Sequence, residues 1–154
     1  MNPNPKAPVH DLTLDRLLHA PRDLVGQAWT TPAHLARWWG PEGFSSTVLD
    51  LDPRPGGTLL IVMAAPDGTV TPTRGVFHEV VRPERLVFTT TAFEDERGQP
   101  QLEVLNTVTL TEQGTATQLS LHAQVLAASD AVSPVLGTMR DGWNQSLDRL
   151  THTL

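Results

Sequence analysis

The sequence predicts an α+β fold: a curved antiparallel sheet of seven strands with a long helix across its dry face. Three observations carry this. Six stretches rich in Val, Thr, Leu and Phe follow one another between residues 45 and 126, separated by turn chemistry. Within them apolar and polar side chains alternate, which leaves one dry and one wet face. An apolar stripe of helical period then occupies the C-terminus and can cover the dry face.

The elements follow in order. Residues 11–19 set Leu12, Leu14 and Leu18 against Asp11, Thr13 and Asp15, a loosely alternating first strand. Pro21 stands where a helix can start, because the first turn does not need proline's missing N–H. Leu24, Val25, Ala28 and Trp29 then recur at helical spacing. Thr31 and Pro32 start a second short helix, with Leu35, Trp38 and Trp39 as its apolar face, and Gly40-Pro41 stops it. Strands are expected over 45–52, 58–65, 70–81, 85–93, 101–111 and 115–126. The turns between them are Pro53-Arg-Pro-Gly-Gly57, Pro66-Asp-Gly68, Arg82-Pro-Glu84, Asp95-Glu-Arg-Gly98 and Glu112-Gln-Gly114.

Parity assigns faces. Leu59, Ile61 and Met63 share one side, as do Leu86, Phe88 and Thr90. Leu102, Val104, Asn106, Val108 and Leu110 share one, and so do Leu119, Leu121, Ala123 and Val125. Ser133 and Pro134 start the last helix, expected to run unbroken to residue 154. Its stripe is Leu136, Met139, Trp143, Leu147, Leu150 and Leu154, opposite Arg140, Asp141, Asn144, Asp148 and Arg149.

Composition narrows the function classes. The chain has 154 residues, 39% of them hydrophobic, enough for the core of a single domain. Eleven Lys and Arg against 17 Asp and Glu give a formal charge of −6 with no basic run, which argues against nucleic acid or an anionic membrane as partner. Cysteine is absent, so no disulfide, thiolate nucleophile or cysteine-held metal exists. The longest apolar run, Leu59 to Ala65, is too short to cross a bilayer. No signal peptide is legible at the start, which makes the cytoplasm the expected location. Residues 1–9 read as a disordered lead-in to a domain over 10–154. No cofactor and no metal is expected. None of the six histidines stands in a local ligand motif, and the Glu94-Asp-Glu96 run reads as a solvated loop.

The order of elements resembles the helix-grip fold, the START-like, birch-pollen-allergen-like architecture. Leu35-Ala-Arg-Trp-Trp-Gly-Pro41 resembles the signature of bacterial proteins related to the activator of the ninety-kilodalton heat-shock protein's ATPase. Pro55-Gly-Gly57, Pro66-Asp-Gly68, Gly75-Val-Phe-His-Glu-Val80, Pro83-Glu-Arg-Leu-Val-Phe88, Gly142-Trp143 and Leu147-Asp-Arg-Leu150 resemble that family in the same order. The resemblance covers about residues 10–154. It implies a cavity between sheet and last helix, but no particular reaction. The eukaryotic activator carries a further N-terminal domain that these opening residues do not supply. Thr90 stands where many relatives carry tryptophan, which implies a cavity enlarged or made more polar.

Three functions follow as expectations. The leading one is a binder of a small apolar or amphipathic molecule. Its walls would be Trp39, Met63, Phe88, Leu121, Met139 and Trp143, with Asn106, Thr90 and His78 as orienting polar contacts. The second is a polyketide cyclase or aromatase, for which His78 is the candidate acid–base group, since such work needs a titratable side chain inside. His78 and Glu79 are strand neighbours, so by strict alternation only one of them faces inward. The third is an interaction module acting on a chaperone's ATPase, which requires a filled core and a surface patch. Monomer and homodimer are both compatible with the sequence.

Overall fold

The computed structural model describes residues 10–154; the expected lead-in over 1–9 lies outside the described residues. Seven strands form one antiparallel sheet: β1 (His10–Leu18), β2 (Ser45–Leu51), β3 (Thr58–Ala64), β4 (Val70–Val81), β5 (Arg85–Glu94), β6 (Pro100–Gln113) and β7 (Ala116–Ala128). Their spatial order is β1-β7-β6-β5-β4-β3-β2, a meander whose last strand pairs with the first. Helices α1 (Arg22–Thr30) and α2 (Pro32–Trp38) connect β1 to β2. A 3-10 turn at Asp130–Val132, α3 (Ser133–Leu136) and α4 (Met139–Thr153) follow β7. This is the helix-grip arrangement.

The expected parities hold in the central strands. Leu102, Val104, Asn106, Val108 and Leu110 of β6 are buried, as are Leu119, Leu121, Ala123 and Val125 of β7. Register shifts at Val48/Asp50, Phe77/Glu79 and Glu103/Val104 insert extra residues into the ladder. Such bulges sharpen local twist and help curve the sheet.

The last helix departs from expectation. It is broken between Leu136 and Met139. Gly137 is a poor helix former, and the Thr138 hydroxyl donates to the Val135 carbonyl at 3.0 Å, a local bond that competes with the helical ladder. The Thr138 amide closes a tight turn onto the same carbonyl, and helical bonding resumes from Gly142 to Thr138.

Two arginines seat α4. Arg16 occupies an inward position of β1 between Leu14 and Leu18. It donates to Asp148 at 2.6 Å and to the backbone and side-chain oxygens of Asn144. Arg149 is half-buried and donates to four backbone carbonyls at the end of α2: Arg37, Trp39, Gly40 and Pro41, at 3.0–3.4 Å. A cation at a helix C-terminus meets both the orphan carbonyls and the negative end of the helix dipole. The sequence pattern placed Arg149 on a polar surface; instead it fastens two helices together.

Replacing Arg149 with methionine keeps the stem but removes the donors. Urea unfolding is expected to lose about 1.5–3 kcal/mol, because hydrogen bonds to a charged group are lost and the carbonyls stay behind. Arg97→Met, in an exposed hairpin, is expected to stay within about 0.5 kcal/mol of the parent.

Candidate functional site

The C-terminal half of α4 enters the core, and its N-terminal half is only partly covered. Leu147 and Leu150 are fully buried, whereas Met139 and Trp143 are only partly covered. Under them lies a hollow of about 500 Å³. Its floor is the dry face of β3 to β6, with Met63, Thr71, Thr73, Thr90, Val104 and Asn106. Its roof is Val135, Met139, Gly142, Trp143 and Ser146, and its side is the segment from Trp39 to Phe44. Gly40 permits that side wall. Its φ is +101°, and an added Cβ would come within 3.2 Å of the Met63 sulfur.

All four tryptophans form one cluster beside the hollow. Trp38 has no exposed surface and donates its indole N–H to the Ala28 carbonyl at 2.9 Å. Trp29 meets it edge-on at a centroid distance of 4.5 Å and stacks with Trp143 at 6.2 Å. Trp39 contacts Trp143 edge-on at 5.4 Å. The inner pair anchors the helices; Trp39 and Trp143 present surface to the hollow.

The hollow carries few polar groups. Asn106 is 1% exposed, and its amide nitrogen donates to the Phe88 and Val104 carbonyls and to the Thr90 hydroxyl at 3.1–3.4 Å. Thr73 and Ser146 are also buried in the lining. Among the described residues the one ionisable lining side chain is Asp67, in the β3–β4 hairpin at the rim. The backbone N–H of Thr69, and then its hydroxyl, hold the Asp67 carboxyl below its usual range, so it stays ionised near neutrality. Phe93, also at the rim, has φ of 58°, a strained geometry for a bulky residue.

Comparison with known proteins places the chain. The profile of the family described as "Activator of Hsp90 ATPase homolog 1-like protein" matches residues 19–154. The chain belongs to this family. No curated protein matches it. Among solved structures it is similar to a Chromobacterium violaceum protein at 32% identity and TM-score 0.81, covering 93% of this chain and 95% of that one. A Mycobacterium smegmatis protein matches at 26% identity and TM-score 0.78, covering 94% and 90%. An Arthrobacter aurescens protein at 21% identity shares the fold, with TM-score 0.84 over 99% and 88%. In this family member the Trp38-Trp39-Gly40-Pro41 run is both the end of α2, which Arg149 holds, and one side of the hollow.

Of the residues singled out from sequence, Trp39, Met63, Thr90, Asn106, Met139 and Trp143 are brought together around the hollow. Three are not. Phe88 lies deeper, against Trp29 and Phe77. Leu121 is fully buried away from the lining. His78 faces the outside of the sheet, where its Nε2 lies 3.0 Å from the Thr89 hydroxyl. The cause is the β4 bulge. Phe77 pairs with Phe88 and Glu79 with Val87, so two successive residues, His78 and Glu79, share the wet side. Strict alternation required one of them to face inward; the extra residue breaks that premise.

Thr71, Thr73 and Ser146 were missed. The first two repeat with Thr69 at a period of two, a signal legible in the sequence. Ser146 was masked by the apolar stripe around it. A second hollow of about 380 Å³ lies between α1 and the β4–β5 turn. Its arginines are engaged, Arg85 with Glu79 and Arg82 with the Pro53 carbonyl. Among the described residues no three His, Asp or Glu side chains converge as a metal site, and no helix is long and apolar enough to cross a membrane.

The two roles within the tryptophan cluster separate in stability. Trp38→Ala is expected to cost ~3–5 kcal/mol in urea unfolding, the usual range for emptying a packed aromatic site. Trp143→Ala is expected to cost clearly less, because one side of that ring already borders open space.

Proposed function

We propose that the protein binds a small, mostly apolar molecule in the hollow between α4 and the sheet. The observation that carries this is the unfilled volume of about 500 Å³, walled by Trp39, Trp143, Met63 and Met139. Ligand pockets run to ~300–1,000 Å³ and combine apolar walls with a few placed polar groups. Apolar burial would supply affinity and the Asn106–Thr90 pair orientation.

The other two readings have less support. A cyclase or dehydratase needs an acid or base beside the substrate. With His78 on the outer face, the only ionisable side chain in the lining among the described residues is Asp67 at the rim. A chaperone-directed module in the sense of the family's description calls for a solid interior and an exposed recognition patch. The interior is not solid, and among the described residues the exposed large apolar side chains Leu17, Leu49, Val70, Val76, Val81 and Leu126 are spread over β1, β2, β4 and β7.

Titration with Nile red, an uncharged dye that brightens in apolar surroundings, tests the reading. The parent protein is expected to bind it and Thr90→Trp to lose binding, since a large ring on β5 would fill the floor. His78→Ala is expected to bind as the parent does. A parent that leaves the dye in water would contradict the proposal.

A further inference from the structure

Asn106 is committed on one side only. Two of the three acceptors around its Nδ2 are backbone carbonyls, which cannot donate, so the amide orientation is set by the structure. Its Oδ1 therefore accepts from no group among the described residues, in a side chain that is 1% exposed and lines the hollow. An acceptor that borders an apolar hollow and meets no protein donor there selects a ligand that supplies one. Beside it the Thr90 hydroxyl accepts from Asn106, which leaves its own proton free to donate. The hollow thus offers an acceptor and a donor side by side in an apolar wall.

Charge narrows the ligand further. Among the described residues no Lys, Arg or His lines the hollow, and the one charged lining residue is the ionised Asp67 at its mouth. A carboxylate or phosphate head would enter past a negative charge and lie buried without a cation, an arrangement that is strongly disfavoured. The formal charge of −6 adds to this bias.

We infer that the ligand is an uncharged amphipathic molecule whose polar end is a hydrogen-bond donor, an alcohol or a primary or secondary amide, seated on Asn106 Oδ1 with Thr90 returning a bond to its oxygen. This rests on the ligand-binding reading above and goes beyond it by assigning the head group. It disfavours free fatty acids, whose carboxylate would lie in this hollow without a cation.

Displacement of Nile red by a matched set tests the inference: 1-decanol, decanamide, 1-methoxydecane and decanoate, at pH 7.5. Decanol and decanamide are expected to displace the dye. The ether, which cannot donate, and decanoate, which is ionised, are each expected to be at least about tenfold weaker, a factor that corresponds to one good hydrogen bond. In Asn106→Leu the preference of decanol over the ether is expected to vanish. The parent series stands without the variant should the variant fail to fold. Equal binding of decanol and decanoate, or of decanol and the ether, by a parent that holds the dye would overturn the head-group assignment alone. Absence of dye binding would overturn the cavity reading and this inference together.

Discussion

The hollow depends on how one helix is seated. Helix α4 packs against α2 and β1, at one side of the sheet. Leu147 and Leu150 enter the core there, and Arg16 and Arg149 hold that position with donors directed at the helix and at the end of α2. A rigid helix so fixed at its C-terminal half must project its other half over β3 to β6. The side chains it carries there, Met139, Trp143 and Ser146, span only part of the gap. The floor adds to the deficit, because Thr71, Thr73 and Thr90 stand where larger residues would reach up to meet the helix. The cavity is thus a consequence of where α4 is fastened and of small side chains on three neighbouring positions.

The side chains around the hollow suit recognition rather than proton transfer. Tryptophan faces and methionine thioethers supply adaptable apolar contact. Asn106 and the threonines supply direction without charge. Proton transfer would require a group that titrates within reach, and the sheet turns its histidine outward at the β4 bulge. Among the described lining residues the one carboxylate, Asp67, sits at the entrance.

Much of this was legible in the sequence, for identifiable reasons. Strands β6 and β7 alternate without interruption through their central positions, so the inward place of Asn106 followed from parity alone. The Gly40-Pro41 stop after α2 and the turn chemistry set most boundaries to within two residues. What escaped were events that break a period. The extra residue at His78–Glu79 leaves no mark in a pattern of Val, Phe and His. The interruption falls at Gly137-Thr138, where a poor helix former breaks a stripe whose apolar period continues across it. Phe88 and Leu121 share the dry face with the lining, but parity gives a face and not a depth beneath α1 and α4. Arg149 was read as solvated because its partners are backbone carbonyls, which no charge pattern announces.

The central claim is that the space between α4 and the sheet accepts a ligand. Met63 on the floor and Met139 on the roof are the two methionines that line it among the described residues. Carbon-13 labelling of the methionine methyl groups, followed by NMR on addition of 1-decanol, observes both walls at once. The account predicts saturable shifts of the Met63 and Met139 signals at one common affinity. Signals of both residues that stay fixed while the alcohol is shown to bind elsewhere on the protein would contradict it.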